Sequence, residues 1–156
     1  MTHRYPEITA LLLEAKDMTL ATVRPDGAPQ ATTVSYASDG DAIFFGCAKS
    51  SQKARNLAVE DRVAITINLP YQDWAQIRGL SISGRARRLS GSDEIVSTGL
   101  LFMNKYPEVA QYVTADDDEL ALFRVDPEIV SILDYGKGFG HTELVRLGGG
   151  AVEPAA

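Results

Sequence analysis

The residues best suited to chemistry lie close together at positions 43–57, where the chain reads IFFGCAKSSQKARNL. An apolar run typical of a strand ends at Gly46 and Cys47, and a polar turn leads into a pattern typical of a helix. Either Ser50 or Ser51 can cap that helix, since a serine hydroxyl accepts from an otherwise unpaired backbone N–H. A helix N-terminus offers free N–H groups and partial positive charge, and both favour a bound phosphate.

Three cations, Lys49, Lys53 and Arg55, surround this predicted helix end. Positive charge at an N-terminus opposes the helix dipole, so these side chains add no stability to the helix by themselves. A bound phosphate would reverse the sign of that interaction. A solvated surface is the alternative for any helix start that carries Lys and Arg. The β-rich context described below favours the anion site.

Composition excludes several classes of protein. The chain has 156 residues, of which 45% are hydrophobic and 23% charged, as expected of one soluble domain with a real core. It contains no apolar run of membrane-spanning length, and its first residues lack the apolar core of a signal peptide. Cys47 is the only cysteine, which excludes an internal disulfide and a cysteine-built zinc site, so we expect a cytoplasmic protein. A net charge of −6 argues against nucleic-acid binding.

Periodicity predicts a mainly β chain with short helices, in the α+β class. Turn signals between the strands favour a small antiparallel barrel over a doubly wound sheet. We predict one domain over residues 1–147, followed by a flexible tail at 148–156. Helices are predicted at 6–16, 51–59 and 92–105 with a short one at 107–113, and strands at 18–24, 29–36, 42–47, 62–69, 75–89, 120–125 and 129–135.

Three segments carry a resemblance to a known family: TLATVRPDGAPQATTVSY, FFGCAKSSQKARNL and RGLSISGRARRL, in that order. Together they resemble the pyridoxamine 5'-phosphate oxidase-like FMN-binding split barrels, over about residues 18–89 and more weakly over 120–141. The resemblance implies an antiparallel split β-barrel that dimerises with itself and holds FMN at the interface. It also implies an oxidoreductase, in which the flavin passes hydride or electrons to or from a small organic substrate.

The resemblance further implies a set of cofactor-binding residues. Those expected along the flavin ring and ribityl chain are Thr32, Thr33 and Val34, and those expected around the phosphate are Gly46, Cys47, Ser51, Gln52 and Lys53. The residue pattern and the resemblance agree on Lys53. Gln52 stands where an arginine is common in the family, and Arg55 or Arg78 could replace that cation.

A substrate pocket is expected from Trp74, Phe139 and His141, although each has a structural alternative. Trp74 could be a core or interface residue, Phe139 could simply pack, and His141 could close the edge of the last strand. No catalytic residue is identified, and no metal site is expected. Arg85, Arg87 and Arg88 fit either an anionic substrate or a solvated strand edge, Cys47 fits a buried structural role, and the acidic run 116–119 fits a solvated loop.

Other functions remain open within the same fold. The cofactor could be the deazaflavin F420, although its acidic tail calls for more cations than the chain offers. The ligand could be haem, for which His141 is the candidate axial residue. A flavin-binding module without turnover is a third alternative. The C-terminal part offers only Lys137 and Arg146 for a second phosphate, so oxidation of a vitamin B6 phosphate is not expected.

Overall fold

The structure is a computed structural model that describes residues 5–113 and 118–148. Three α-helices lie within these ranges: α1 (Pro6–Glu14), α2 (Gln52–Val59) and α3 (Ser92–Lys105). Short 3-10 turns cover Trp74–Gln76, Pro107–Gln111 and Tyr135–Lys137. The described residues also form eight strands: β1 (Asp17–Val23), β2 (Pro29–Ser35), β3 (Ala37–Asp39), β4 (Ala42–Ala48), β5 (Arg62–Asn68), β6 (Arg78–Arg88), β7 (Leu120–Asp134) and β8 (Thr142–Arg146).

The sheet is antiparallel and curls into a half-barrel. Its strand order is β2-β1-β5-β6-β7-β4-β3, and β8 pairs with β7 beside that path. β2 and β3 lie at opposite ends of this order, yet Tyr36 is the single residue between them in the chain. The sheet must therefore bend until its two edges approach each other at Tyr36.

Alternation along the strands directs one face of the curled sheet inward. On β5, Val63, Ile65 and Ile67 are buried while the residues between them are exposed, the period-two pattern of a sheet with one wet face. Phe45 and Phe123 stack inside the barrel with ring centroids 5.2 Å apart. The buried residues of α1, namely Ile8, Leu11, Leu12 and the adjoining Ala15, complete this core.

Tyr36 is fully buried and anchors the place where the sheet edges meet. Its hydroxyl donates to the Leu12 carbonyl of α1 at 2.7 Å. The Tyr106 hydroxyl donates to the Tyr36 carbonyl at 2.7 Å and accepts from its N–H at 3.3 Å. Lys105 places its ammonium 3.7 Å from the centroid of the Tyr36 ring, close enough for a cation–π contact. Burial raises the pKa of the Tyr36 hydroxyl. Burial also lowers the pKa of the Lys105 amine, to about 8.

Most of the predicted elements are confirmed, and two predictions of strand extent were wrong. Residues 75–77 are not part of a strand, because the Asp73 carboxylate caps a 3-10 turn there and β6 starts at Arg78. The strands predicted on either side of Asp126–Pro127 are one strand, β7. Its register shifts opposite Ser83 and Gly84, so the proline falls at a bulge, where no ladder N–H is needed.

Some predictions lie outside the described residues. The predicted tail from 149 onward is one of these, and 114–117, which include half of the acidic run, are another.

Lys105 predicts a pH dependence of stability. Its pKa falls from an ordinary 10.5 to about 8 in the folded chain, so the unfolded chain binds more protons between these values and stability rises with pH there. Between about pH 7 and about pH 9.5 we expect a gain of about 1 kcal/mol, discounted for the partial exposure of the amine. Urea denaturation midpoints of the wild type and of Lys105→Met at both pH values measure this gain in stability. If the midpoint of the wild type rises with pH no more than that of the variant, the prediction is contradicted.

Candidate functional site

The N-terminus of α2 has the chemistry of an anion site. The Ser51 hydroxyl accepts from the Ala54 N–H at 3.1 Å, which identifies Ser51 rather than Ser50 as the cap. The first N–H groups of a helix have no partner within it, so the cap leaves those of Gln52 and Lys53 directed out of the helix end. The first turn of α2 carries no acidic residue. The only charged side chains on α2 near this end are therefore positive.

Lys53 is half buried in the first turn of α2. Within residues 5–113 and 118–148 its ammonium forms no ion pair, whereas Arg24, Arg62, Arg85, Arg87, Arg124 and Lys137 all do. Holding a lysine beside a positive helix end without a carboxylate is electrostatically unfavourable. A phosphate at this place would remove that cost and accept charge-assisted hydrogen bonds.

Arg55 brings a second cation to the same end. Its guanidinium folds back along α2 and donates to the Ser50 carbonyl at 2.6 Å and to Gln52 Oε1 at 2.8 Å. This places a guanidinium beside the turn that enters the helix, although the residue before Lys53 is a glutamine. Arg78 starts β6 and pairs in register with Asp134, on a different part of the sheet.

A buried network fixes α2 against the sheet. Asn56 is fully buried and accepts from Gln52 Nε2 at 2.8 Å. Its own amide nitrogen donates to Thr22 Oγ1 at 2.9 Å and to Gln30 Oε1 at 3.0 Å. Gln52 thus orients Arg55 with its oxygen and Asn56 with its nitrogen. Through Asn56, the N-terminal part of α2 is hydrogen-bonded to β1 and β2.

The three residues predicted along the flavin do not share one face of β2. Thr32 and Val34 alternate with Thr33, and Thr32 pairs with the buried Leu20 while Val34 is itself buried. Thr33 is exposed on the opposite face. β2 pairs only with β1 among the described strands, so its second edge carries backbone N–H and C=O groups that a flat ligand can reach.

Gly46 and Cys47 lie on β4 just before the turn into α2. A Cβ on Gly46 would come within 3.1 Å of Leu122 Cδ2, so this glycine serves close packing of β4 on β7. Cys47 is partly buried and packs against the core. The Ser51 N–H donates to the Ala48 carbonyl at 3.0 Å, which sets the turn. These residues join Ser51, Gln52 and Lys53 at one end of the barrel.

An aromatic cluster, formed by Trp74, Tyr135 and Phe139, lies elsewhere. Trp74 stacks on Phe139 with centroids 5.8 Å apart, and Tyr135 meets Phe139 edge to face at 5.6 Å. Trp74 and Phe139 remain 65% and 80% exposed. The interpretation of Trp74 as a core residue was therefore wrong, while its place in an interface or a pocket wall stays a prediction.

His141 lies just before β8, beside this cluster in the chain. Its Nε2 is 3.4 Å from Glu143 Oε1, near enough for an ion pair if the ring is protonated. The two atoms are not aligned as a hydrogen bond, and Nε2 has no other such partner within the described residues. The His141 N–H donates to the Gly138 carbonyl at 3.0 Å, and its carbonyl accepts from the Asp134 N–H at 3.1 Å. The backbone of His141 is thus hydrogen-bonded beside the last strand, as the alternative to a pocket role predicted.

The two groups of predicted residues lie at opposite ends of the strands. Thr22, which anchors α2, is near the end of β1, and β5 runs antiparallel to β1 with Ala21 opposite Ala64. Trp74 follows the far end of β5, beyond Asn68. Within one copy of the chain, the aromatic cluster therefore does not lie beside the N-terminus of α2.

Sequence reasoning missed Asn56, Thr22 and Gln30, which form the network that positions the site. The sequence offered one signal for this network, because Asn56 stands next to the apolar Leu57, on the part of the predicted helix that would face the core. The arginines of β6 were interpreted correctly as solvated, since Arg85 pairs with Asp61 at 2.7 Å and Arg87 with Glu94 at 2.9 Å. They were wrongly placed on an edge, because β6 lies between β5 and β7.

The chain belongs to the pyridoxamine 5'-phosphate oxidase family, because residues 5–134 match the sequence profile of that family. This assigns the half-barrel to the split-barrel class. No curated protein matches the chain in sequence. Among the helices of the described residues, none has the length and apolar character needed to cross a membrane.

Solved structures confirm the fold. A haem binding protein from Mycobacterium smegmatis matches with a TM-score of 0.76 and 21% identity, over 94% of this chain and 60% of that one. The conserved protein Rv2991 from Mycobacterium tuberculosis matches with a TM-score of 0.75 and 24% identity, over 96% of this chain and 94% of that one. HutZ, the haem storage protein from Vibrio cholerae, matches with a TM-score of 0.68 and 22% identity, over 82% of this chain and 92% of that one. At these identities the likeness is one of fold.

The Asn56 network predicts a stability cost for its removal. In Asn56→Ala, Thr22 and Gln30 lose a buried partner, and we expect a loss of about 2–4 kcal/mol in the free energy of unfolding. Urea denaturation measures it. Asn104→Ala, on the exposed side of α3, is the matched control and should change stability by less than about 0.5 kcal/mol. Equal effects of the two substitutions would refute this role of Asn56.

Proposed function

We propose that the protein is a homodimeric FMN-binding oxidoreductase, with the flavin phosphate at the N-terminus of α2. The observation that carries the proposal is the cationic helix end formed by Ser51, Lys53 and the folded-back guanidinium of Arg55, on a helix whose first turn carries no acidic residue. A phosphate dianion calls for N–H donors, a hydroxyl and charged donors at short range. The donor set at this end meets that requirement, and the family membership agrees with it.

The residues of this chain would bind and orient the cofactor. Lys53 and Arg55 would neutralise the phosphate, and the open edge of β2 at Thr32–Val34 would offer backbone groups to the ring. Bound flavin supplies the hydride or electron transfer itself.

FMN suits the site better than F420. The described cations near the helix end are Lys49, Lys53 and Arg55, a number that matches one phosphate. The long acidic tail of the deazaflavin would need a basic groove leading away from the helix. Most other arginines of the described residues are already paired, as Arg62 is with Glu60 and Arg87 with Glu94.

The outer face of the sheet supports dimerisation. In register across β2, β1, β5 and β6 run Thr33, Thr19, Thr66 and Ser81, and beside them Ala31, Ala21, Ala64 and Ser83. These two rows, the small-residue face, are solvent-accessible and carry no charge in a chain of net charge −6. A flat neutral surface of this kind suits isologous packing against a second copy.

Dimerisation would also unite the two separated groups of residues. A two-fold axis that runs across the strands reverses their direction in the second copy. The aromatic cluster of one subunit would then approach the α2 end of the other. Trp74 and Phe139 could wall the space above the flavin ring only in such an arrangement.

Haem is the second candidate, and His141 is the observation that favours it. Its Nε2 has no aligned hydrogen bond within the described residues, and imidazole nitrogen is a common axial ligand of haem iron. Proteins named for haem binding and haem storage share the fold. The close approach of Glu143 to Nε2 would have to be relieved before that nitrogen could bind iron.

The absorption spectrum of the purified protein, titrated with FMN and separately with haemin, tests the proposal. We expect flavin bands that sharpen and shift on FMN binding, and FMN affinity reduced at least about tenfold in Lys53→Met, since a charge-assisted phosphate contact is lost. Lys16→Met, an exposed lysine on the loop before β1, is the matched control and should bind as the wild type does. Saturable Soret absorption with no response to FMN would refute the flavin assignment in favour of haem.

A charge at the centre of the small-residue face tests the dimer. In Thr66→Arg, two like charges would meet across the two-fold axis, so the mass in sedimentation equilibrium should fall from dimer to monomer. Ala10→Arg, on an exposed position of α1, is the control and should leave the mass unchanged. A wild-type monomer, or a variant that remains dimeric, would refute this interface.

A further inference from the structure

A cleft separate from the α2 end lies between α1, β3 and α3. Its volume is about 450 Å³, and its walls are Leu13, Ala37, Ser38, Leu101, Asn104 and Lys105. Small-molecule sites in proteins span roughly 300–1,000 Å³, so the cleft has room for a small organic ligand. None of its lining residues belongs to the cofactor site, the small-residue face or the aromatic cluster.

Lys105 provides a cation with unused capacity. Its ammonium donates to the Leu12 carbonyl at 3.3 Å and lies 3.7 Å from the Tyr36 ring centroid. An ammonium has three donors, so these contacts leave at least one unused, and Lys105 lines the cleft. Within the described residues it forms no ion pair with a carboxylate, although the charge of Asp17 partly offsets the lowering of its pKa by burial. A bound anion would supply the missing counter-charge.

Ser38 adds a second polar anchor at the same place. The residue is buried, and its Oγ has no hydrogen-bond partner within the described part of the chain. A buried hydroxyl of this kind is uncommon in folded proteins. Ser38, Asn104 and Lys105 all line the cleft, so a rotation of the enclosed Ser38 hydroxyl about χ1 would bring it to an oxygen-bearing ligand held by Lys105.

The rest of the cleft is apolar, since Leu13, Ala37 and Leu101 form its remaining wall. We propose that the cleft binds a small monocarboxylate with an apolar body, its carboxylate held by Lys105 and Ser38 and its chain against the leucines. One ammonium with one free donor matches a single negative charge. A phosphate dianion would lack a second cation here.

Titration with hexanoate, followed by amide chemical shifts in ¹⁵N NMR spectra, tests this site. We expect saturable shifts at Ala37, Ser38 and the Asn104 side chain, with a dissociation constant of about 1 mM or below. Hexan-1-ol keeps the apolar body without the charge and should bind about tenfold more weakly. Saturable shifts confined to α2, or none up to about 10 mM, would overturn the proposal.

Variants separate the two anchors. Lys105→Met keeps the aliphatic stem and should weaken hexanoate about tenfold while leaving hexan-1-ol unchanged. Lys16→Met, an exposed lysine outside the cleft, should bind hexanoate as the wild type does. Ser38→Ala, a small change with little risk to folding, should weaken hexanoate about threefold. Unchanged affinity in either cleft variant, or an equal loss in Lys16→Met, would overturn the proposal.

Discussion

Closure of the sheet at Tyr36 is the constraint on which the rest of the structure depends. Two strands at opposite edges of an eight-stranded sheet are joined through a single residue, so the sheet cannot be flat. The bend leaves a hydrophobic interior that α1 completes, and it leaves β2 with a free edge. Tyr36 is buried with its N–H, carbonyl and hydroxyl all hydrogen-bonded. The sheet therefore closes through this one residue without leaving a polar group of Tyr36 unpaired.

The same closure separates the functional features. α2 covers one end of the barrel, where Asn56 ties it to Thr22 and Gln30. The aromatic cluster lies at the far end of β5, and Lys137 of that region reaches toward Glu7 of α1 at 3.9 Å. A cationic helix end and an exposed aromatic surface therefore belong to one chain but do not share one site within it. The small-residue face between them is the surface through which two copies can bring them together.

How much the sequence predicted depended on the range of the interactions. A serine cap on α2, the amphipathic face of α1 and the bounds of α3 at Ser92–Lys105 follow from neighbours within a few residues, and they were predicted correctly, although the choice between Ser50 and Ser51 was left open. Tyr36 and Asn56 were not recognised as anchors, because they have hydrogen-bond partners as far as 70 and 34 residues away in the chain, respectively. The break predicted at Pro127 was wrong, since whether a proline ends a strand or occupies a bulge depends on the facing strand. There Gly84 lets the backbones approach so closely that a Cβ would meet the Asp126 carbonyl at 2.5 Å.

The central claim is that the N-terminus of α2 recognises a phosphate, and the comparison of FMN with riboflavin tests it most directly. The two ligands share the ring and the ribityl chain and differ in the phosphate alone. Quenching of flavin fluorescence by the wild-type protein gives both affinities under one set of conditions. We predict that FMN binds at least about 100-fold more tightly, as expected for two or more charge-assisted contacts. Equal affinity for the two flavins would contradict the assignment of this helix end.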